Sequence, residues 1–367
     1  MPYRNESLMK KNALIALSAA ALVLAACSTQ ENKVTEPKET PVKPTVQRPA
    51  FDPNAESVAI SGFNGNTNVQ RFIGYEAASG QFSRTELQSF FDGVVYKGNI
   101  INIMNRPGTS RPWYEFRNGN ASASKINKGK SFYAQHKNTI DSAARSYGVP
   151  PEIIVAILGI ETNYGTNTGS FRVADSLSTL AFDYPRRADF FQKELHEFLL
   201  MAKEERKDIY SFKGSYAGAM GMPQFMPSSF RKYAVDFDGD GYHDIWNNIG
   251  DVAASVANYM KAHGWKPNGK MIVPVSLNIT QELQNIIDEK TALTRTVGEL
   301  KRLGVRPQEV VDDNEKAILY RLETAPGVYE YFIGLHNFYT VWQYNHSRMY
   351  VTAVRDIANG VGGGYRL

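Results

Sequence analysis

Residues 150–165, Pro-Pro-Glu-Ile-Ile-Val-Ala-Ile-Leu-Gly-Ile-Glu-Thr-Asn-Tyr-Gly, set the terms for the rest of the chain. Proline suits the first turn of a helix, where its missing N–H has no partner to lose, so Pro150 and Pro151 open one. Ile153, Ile154, Ile157, Leu158 and Ile160 make that helix apolar on nearly every side, and such a helix belongs in a core. Glu161 stands at its end. Burying a charge is costly, and both desolvation and the C-terminal end of a helix dipole disfavour a carboxylate. A carboxyl group that ordinarily titrates near ~4.3 would move towards about 6, which suits a general acid near neutral pH. Position alone leaves two readings open: an acid in a site, or a glutamate that leaves the helix into solvent.

The chain around this helix has 367 residues, enough for two domains or one elaborate one. Apolar residues make up 43% and charged residues 21%, which excludes wholesale disorder. The formal charge is +4, and removing residues 1–26 (Arg4, Lys10, Lys11 and Glu6) lowers it to +2. So weak a basic balance gives no support for a nucleic-acid surface, and no nucleic-acid partner is expected.

The pattern is mainly α. Ser83 caps a run with Leu87, Phe90 and Phe91. Further helices are expected over Phe132–Tyr147, Pro185–Lys207, Asp251–Lys261 and Val297–Leu303. Met271–Leu277 and Ala317–Leu322 read as strands of a small mixed insertion, and final helices are expected over Tyr329–Phe338 and Tyr344–Ile357.

Two stretches carry a family resemblance. Ile160-Glu-Thr-Asn-Tyr-Gly165 resembles the catalytic Glu motif of goose-type lysozymes and lytic transglycosylases. Gly218-Ala-Met-Gly-Met-Pro-Gln224-Phe-Met-Pro227 matches the second motif of that superfamily, in the right order and spacing. Val235–Gly241, Val256–Trp265 and Asn337–Asn345 extend the likeness over roughly residues 55–358, and the family that the chain resembles is that of membrane-bound lytic murein transglycosylase B.

The resemblance implies a lysozyme-like α+β core with an added helical domain and a small β-containing insertion. The expected boundaries are a helical domain with part of the core over 51–148, and a catalytic core with an EF-hand-like loop over 149–268. A small α/β domain over 269–328 and core-completing helices over 329–367 follow. The resemblance also implies cleavage of the β-1,4 bond between N-acetylmuramic acid and N-acetylglucosamine in peptidoglycan, leaving 1,6-anhydromuramic ends. Ordinary glycosidases use two carboxylates; here Glu161 would act alone as acid, then base, with the substrate's N-acetyl and C6 hydroxyl groups doing the rest. Asp175 and Asp183 lie nearby in sequence without a comparable setting. A hydrolytic muramidase of the same fold and a non-catalytic peptidoglycan-binding lipoprotein are the alternatives.

By the same motifs, Gln224, Met220, Ser215, Tyr259, Asn337 and Tyr344 are expected to line the cleft, with Tyr114 at a distal sugar. With 20 Tyr and 19 Phe in the chain, ordinary packing competes with each aromatic assignment. Gly218 and Gly221 suit close backbone approach.

Asp236, Asp238, Asp240, Tyr242 (through its carbonyl) and Asp244 occupy positions 1, 3, 5, 7 and 9 of an EF-hand-like loop, a set of hard oxygens that suits Ca2+ or Na+. Asn247 stands at position 12, where the usual loop has a glutamate; the family's variant loop suggests Asp251 instead. The ion would be structural, and the chemistry would need no cofactor.

Before the folded part, Lys10-Lys11 precedes an uncharged run over Ala13–Ala26, too short for a comfortable bilayer span. The run ends Leu-Ala-Ala-Cys27, which resembles a bacterial lipoprotein signal: residues 1–26 would be removed and Cys27 acylated. Ser28 favours the outer membrane, facing the periplasm of a Gram-negative bacterium. Residues 27–50, with Pro37, Pro41, Pro44 and Pro49, read as a tether. The partners expected are glycan strands, the outer membrane through the anchor, and other cell-wall enzymes; a monomer is the default.

Overall fold

A computed structural model describes residues 48–106 and 111–362. The expected signal segment, Cys27 and most of the expected tether lie outside the described residues. No helix among the described residues is long and apolar enough to cross a membrane.

The apolar helix Pro151–Thr162 runs through the main core, with residues Ile153 to Gly159 buried in succession. It is packed by the helices Ala123–Tyr147, Ile249–Ala262 and Arg348–Val361. The first of these begins earlier than the sequence pattern indicated, because Ser122 supplies an N-cap, and it kinks at His136. Helices Thr67–Ser79 and Arg84–Asp92 pack together, the second closed by a Ser83–Glu86 capping box. Val173–Asp183 and Ala188–Glu204 form another closely packed pair.

Among the described residues there are seven strands: β1 (Phe171–Arg172), β2 (Lys213–Gly214), β3 (Ile272–Ser276), β4 (Arg295–Thr296), β5 (Arg306–Pro307), β6 (Lys316–Ala325) and β7 (Val328–Gly334). β1 and β2 pair alone; the other five form an antiparallel sheet in the order β4-β6-β7-β3-β5. Strand side chains alternate faces, and here both faces are used. Ile318, Tyr320 and Leu322 of β6, with Phe332 and Ile272, join the main core. Ala317, Leu319, Ile333, Val273 and Val275 form a second core with Leu283, Ile286, Ile287, Val297 and Leu300.

The sheet overturns one expectation. Tyr329–Phe338, read as helix, is strand β7 to Gly334, and helix begins only at His336. Pro326-Gly327, with Gly327 at φ +71°, turns the chain back beside β6. β7 then lies between β6 and β3, so its backbone groups are used on both sides. The expected helix Tyr344–Ile357 is likewise split: one helix ends at Tyr344, and Ser347 caps the next at Arg348.

One close approach limits the core helix. A Cβ on Gly159 would lie 2.6 Å from the Tyr164 ring, whose hydroxyl donates to the Lys125 carbonyl at 2.8 Å. Gly159→Ala should therefore destabilise the protein by about 1–3 kcal/mol through overpacking, read as a lowered midpoint in urea unfolding.

Candidate functional site

Asn163 (φ +52°), Tyr164 (φ +61°) and Gly165 (φ +80°) all take left-handed backbone geometry as the core helix ends. Two non-glycine residues in that region are held there by their surroundings. The Tyr164 N–H bonds back to the Leu158 carbonyl, and the Tyr164 ring lies against Phe132. This sharp exit leaves Glu161 half-buried on the last turn.

Tyr350, from the last helix, donates its hydroxyl to Glu161 Oε1 at 2.6 Å. Burial pushes the Glu161 carboxyl up to about 7, against the opposing effects of the Tyr350 hydrogen bond and the Lys125 charge. Lys125 Nζ donates to the Gly159 carbonyl at 3.0 Å, and burial pushes its own pKa down. A carboxyl group poised near neutral pH can give up a proton and take one back.

The second motif is tied directly to this helix end. The Thr162 hydroxyl donates to the Met222 carbonyl at 3.1 Å and accepts the Gly165 N–H at 3.0 Å. Met222 N–H in turn donates to the Ile245 carbonyl. Gly221 (φ +66°) has no room for a side chain, since a Cβ would lie 2.5 Å from that carbonyl oxygen. Gln224 is itself left-handed at φ +55°, and its amide nitrogen donates to the Thr168 and Gly221 carbonyls at 3.2 and 2.9 Å. These bonds fix the orientation of the Gln224 side chain.

The other expected cleft residues divide. Tyr344 donates to the Pro223 carbonyl at 2.5 Å and stacks with Tyr350 at 6.4 Å. Tyr259 packs edge-on to Tyr344 at 4.7 Å, and its hydroxyl is held by the Gln343 carbonyl. Tyr259, Tyr344 and Tyr350 thus form an aromatic row leading to Glu161. Met220 is fully buried and exchanges both backbone bonds with Phe225. The Ser215 hydroxyl accepts the Ala217 and Ala219 N–H groups, closing the turn between β2 and Met220.

Asn337 is not brought to the site. It is fully buried, and its amide clamps Lys266 and Gly269 through three backbone bonds. Tyr114 lines a groove of about 720 Å³ together with Phe332 of β7 and Arg355 of the last helix. Asp175 and Asp183 are occupied elsewhere. Asp175 accepts the Val95 N–H and faces Arg172, while Asp183 accepts the Ser57 and Tyr96 hydroxyls.

Tyr350, Lys125 and Thr162 were not singled out from the sequence. Tyr350 sits on the apolar stripe with Val351, Val354 and Ile357, so periodicity marks it only as core. The available signal was chemical: a buried tyrosine hydroxyl requires a partner.

In the acidic loop, carboxylates of Asp236, Asp238 and Asp251 offer oxygens within 4.8 Å of one another. Asp251, fully buried at the start of its helix, accepts the Phe237 and Asp244 N–H groups, so it ties both ends of the loop. Burial and the neighbouring Asp238 and Asp236 charges raise its pKa despite those bonds. Asp240 and Asp244 accept backbone amides of their own turns, as Asp236 does from Gly239, Asp240 and Gly241. A converging set of hard carboxylate oxygens, one of them buried and disfavoured as an anion, fits a cation such as Ca2+.

Residues 64–359 match the family described as transglycosylase SLT domain. The chain is 36% identical over 368 residues to membrane-bound lytic murein transglycosylase B of Escherichia coli (strain K12), covering 96% of this chain and 98% of the relative. Its fold is similar to the lytic transglycosylase SltB1 of Pseudomonas aeruginosa, with TM-score 0.78, 42% identity and coverage of 82% and 99% of the two chains. It is also similar to Escherichia coli lytic transglycosylase Slt35 in complex with calcium (TM-score 0.73, 37% identity, coverage 82% and 94%). A third structure, SltB3 of Pseudomonas aeruginosa in complex with NAG-NAM-pentapeptide, matches at TM-score 0.70 and 32% identity, with coverage of 80% and 78%. The family match over most of the chain and the 36% identity to a curated relative show that the chain belongs to the lytic murein transglycosylases of the SLT-domain family.

Proposed function

We propose that the protein cleaves the β-1,4 bond between N-acetylmuramic acid and N-acetylglucosamine in peptidoglycan without consuming water, with Glu161 as the sole acid and base. The observation that carries this reading is the setting of Glu161. Its carboxyl accepts the Tyr350 hydroxyl at 2.6 Å and is pushed up to about 7 by burial, so one group is poised near neutral pH both to give up a proton and to take one back. A protonated Glu161 donates to the glycosidic oxygen as the C1–O bond breaks. The muramic N-acetyl carbonyl oxygen stabilises the positive C1 centre. Glu161, now a carboxylate, takes the proton from the C6 hydroxyl as that oxygen bonds to C1, closing the 1,6-anhydro ring and restoring the acid.

Gln224, fixed by Thr168 and Gly221, orients the sugar beside Glu161, with Tyr344 and the Ser215 turn shaping the wall. Tyr114 serves a more distant sugar in its own groove. Asp236, Asp238 and Asp251, with the Tyr242 carbonyl, would hold a structural Ca2+, which neutralises the loop's charge and takes no part in the chemistry. Acylation of Cys27 would place the enzyme on the inner face of the outer membrane, and the tether would let the body reach the wall.

Glu161→Gln, nearly isosteric, should lower strand cleavage by about 10²–10⁴-fold with the fold retained, since it removes the proton source. Retention of more than about a tenth of the rate would remove Glu161 from the role. Mass spectrometry of wild-type products should find anhydromuramic ends, lighter by one water than reducing ends; reducing ends would make the enzyme a hydrolase.

The first step needs Glu161 protonated, so kcat/KM should fall as pH rises through about 7. The Tyr350 hydrogen bond favours the ionised carboxylate, so Tyr350→Phe should move that alkaline limb to higher pH. A shift downward, or none, would contradict the assignment.

Added Ca2+ should raise the melting temperature of the wild type by mass action, and chelation should reverse it. Asp238→Asn should weaken that response; an unchanged response would remove this loop as the site.

A further inference from the structure

Lys125 lies in the first turn of the helix Ala123–Tyr147, where the capping Ser122 hydroxyl accepts the Lys125 N–H. The N-terminal end of a helix dipole disfavours a cation, and here the cation is also half-buried. The compensation comes from the opposite end of another helix. Lys125 Nζ donates at 3.0 Å to the Gly159 carbonyl, one of the last four of Pro151–Thr162, where the dipole favours positive charge.

Lys125 also reaches the far side of Glu161. Its carbonyl accepts the Tyr164 hydroxyl at 2.8 Å. One turn on, Gly129 leaves no slack, since a Cβ there would lie 2.5 Å from that hydroxyl. Lys125 is thus bonded two residues before Glu161 through its side chain and three residues after it through its backbone. Because Nζ bonds to the helix backbone rather than to the carboxylate, its charge acts on Glu161 through space.

The titratable groups that face Glu161 come from separate elements. Tyr350 on Arg348–Val361 and Tyr344 on His336–Tyr344 are both pushed well above the usual tyrosine range by burial, so they stay neutral. Tyr259 on Ile249–Ala262 acts on those two tyrosines. Lys125 is the charged member of the set. Burial and the neighbouring Lys128 lower its proton affinity, and Glu161 raises it. Lys128 is itself drawn to the Thr166 hydroxyl at 3.2 Å.

The cleavage cycle leaves Glu161 ionised between two proton transfers, after the glycosidic oxygen has taken its proton and before the C6 hydroxyl returns one. A carboxylate in a half-buried setting is costly unless a positive charge stands near. We propose that Lys125 is a positioning residue for this cycle: pinned across Glu161 by Gly159 and Tyr164, its ammonium stabilises the carboxylate that exists between the two transfers. The proposal rests on reading Glu161 as acid and base. Lys125 exchanges no proton with the substrate. By favouring the carboxylate it makes Glu161 a stronger donor in the first step and a weaker acceptor in the second, and so sets the balance between them.

The test compares the full chain with Lys125→Met, Lys125→Gln and Lys125→Arg, by cleavage of soluble murein strands and by carbon NMR of glutamate labelled at Cδ. The Glu161 signal is identified by its absence from Glu161→Gln. Methionine keeps the length of the side chain and the backbone bond to Tyr164, glutamine restores a donor, and arginine alone keeps the charge. In both uncharged variants the alkaline limb of kcat/KM and the midpoint of the Glu161 titration should rise together by roughly half a unit, the size expected of a partly exposed charge. Arginine should keep both at the wild-type position. A lysine that serves only as a helix clamp would lower the melting temperature and move neither. That result, or a rise shared by arginine, would overturn the proposal. A carboxyl midpoint that rises while the limb stays in place would overturn Glu161 as the acid, and with it the part of Lys125 in the reaction, leaving only the coupling of the two charges.

Discussion

Everything at this site depends on an apolar helix driven through the core with a carboxyl group on its last turn. Hydrophobic burial places Ile153 to Gly159 out of water, and the same burial raises the proton affinity of Glu161. The driving force for folding and the tuning of the acid are thus one physical effect. The compensation comes from across the molecule, where the last helix supplies the Tyr350 hydroxyl.

The surroundings turn this helix end into a positioned group. Left-handed geometry at Asn163 and Tyr164 stops the helix abruptly, and Thr162 ties the stop to Met222. Gln224 is held in turn by the loop that follows Glu161. Each motif supplies the other's hydrogen-bond partners, so neither would keep its shape alone. Farther out, Asp251 gathers the acidic loop by accepting the Phe237 and Asp244 amides, and Asp244 shapes the turn that carries Trp246. Asp244 therefore links the acidic loop to the turn that follows it.

Much of this is legible in the chain. The apolar run, the proline start and the glutamate at its end make one helix and its acid readable from residue order alone. Errors arise where local pattern is ambiguous. Val328–Gly334 is rich in aromatic residues that suit either a helix face or a strand, and the Pro326-Gly327 turn is the signal that favours the strand. Asn337 matches a motif, yet its amide is consumed by the backbone of Lys266 and Gly269. A motif records that a residue type is needed, and a structural clamp needs one as much as a ligand contact does.

The sequence by itself determined the elements whose causes are local: the buried helix, the capped helices, the acidic loop with its regular oxygens, and the two motifs in order. Tertiary structure decided which side chains meet. Tyr350 and Glu161 are 189 residues apart, and nothing in the pattern of either segment encodes the other. Asp251 stands on the helix after the loop, and its carboxylate comes within reach of Asp236 and Asp238 only once the chain is folded. Periodicity and capping act over a few residues along the chain; hydrogen bonding, desolvation and charge act through space, and only the packed core fixes those distances.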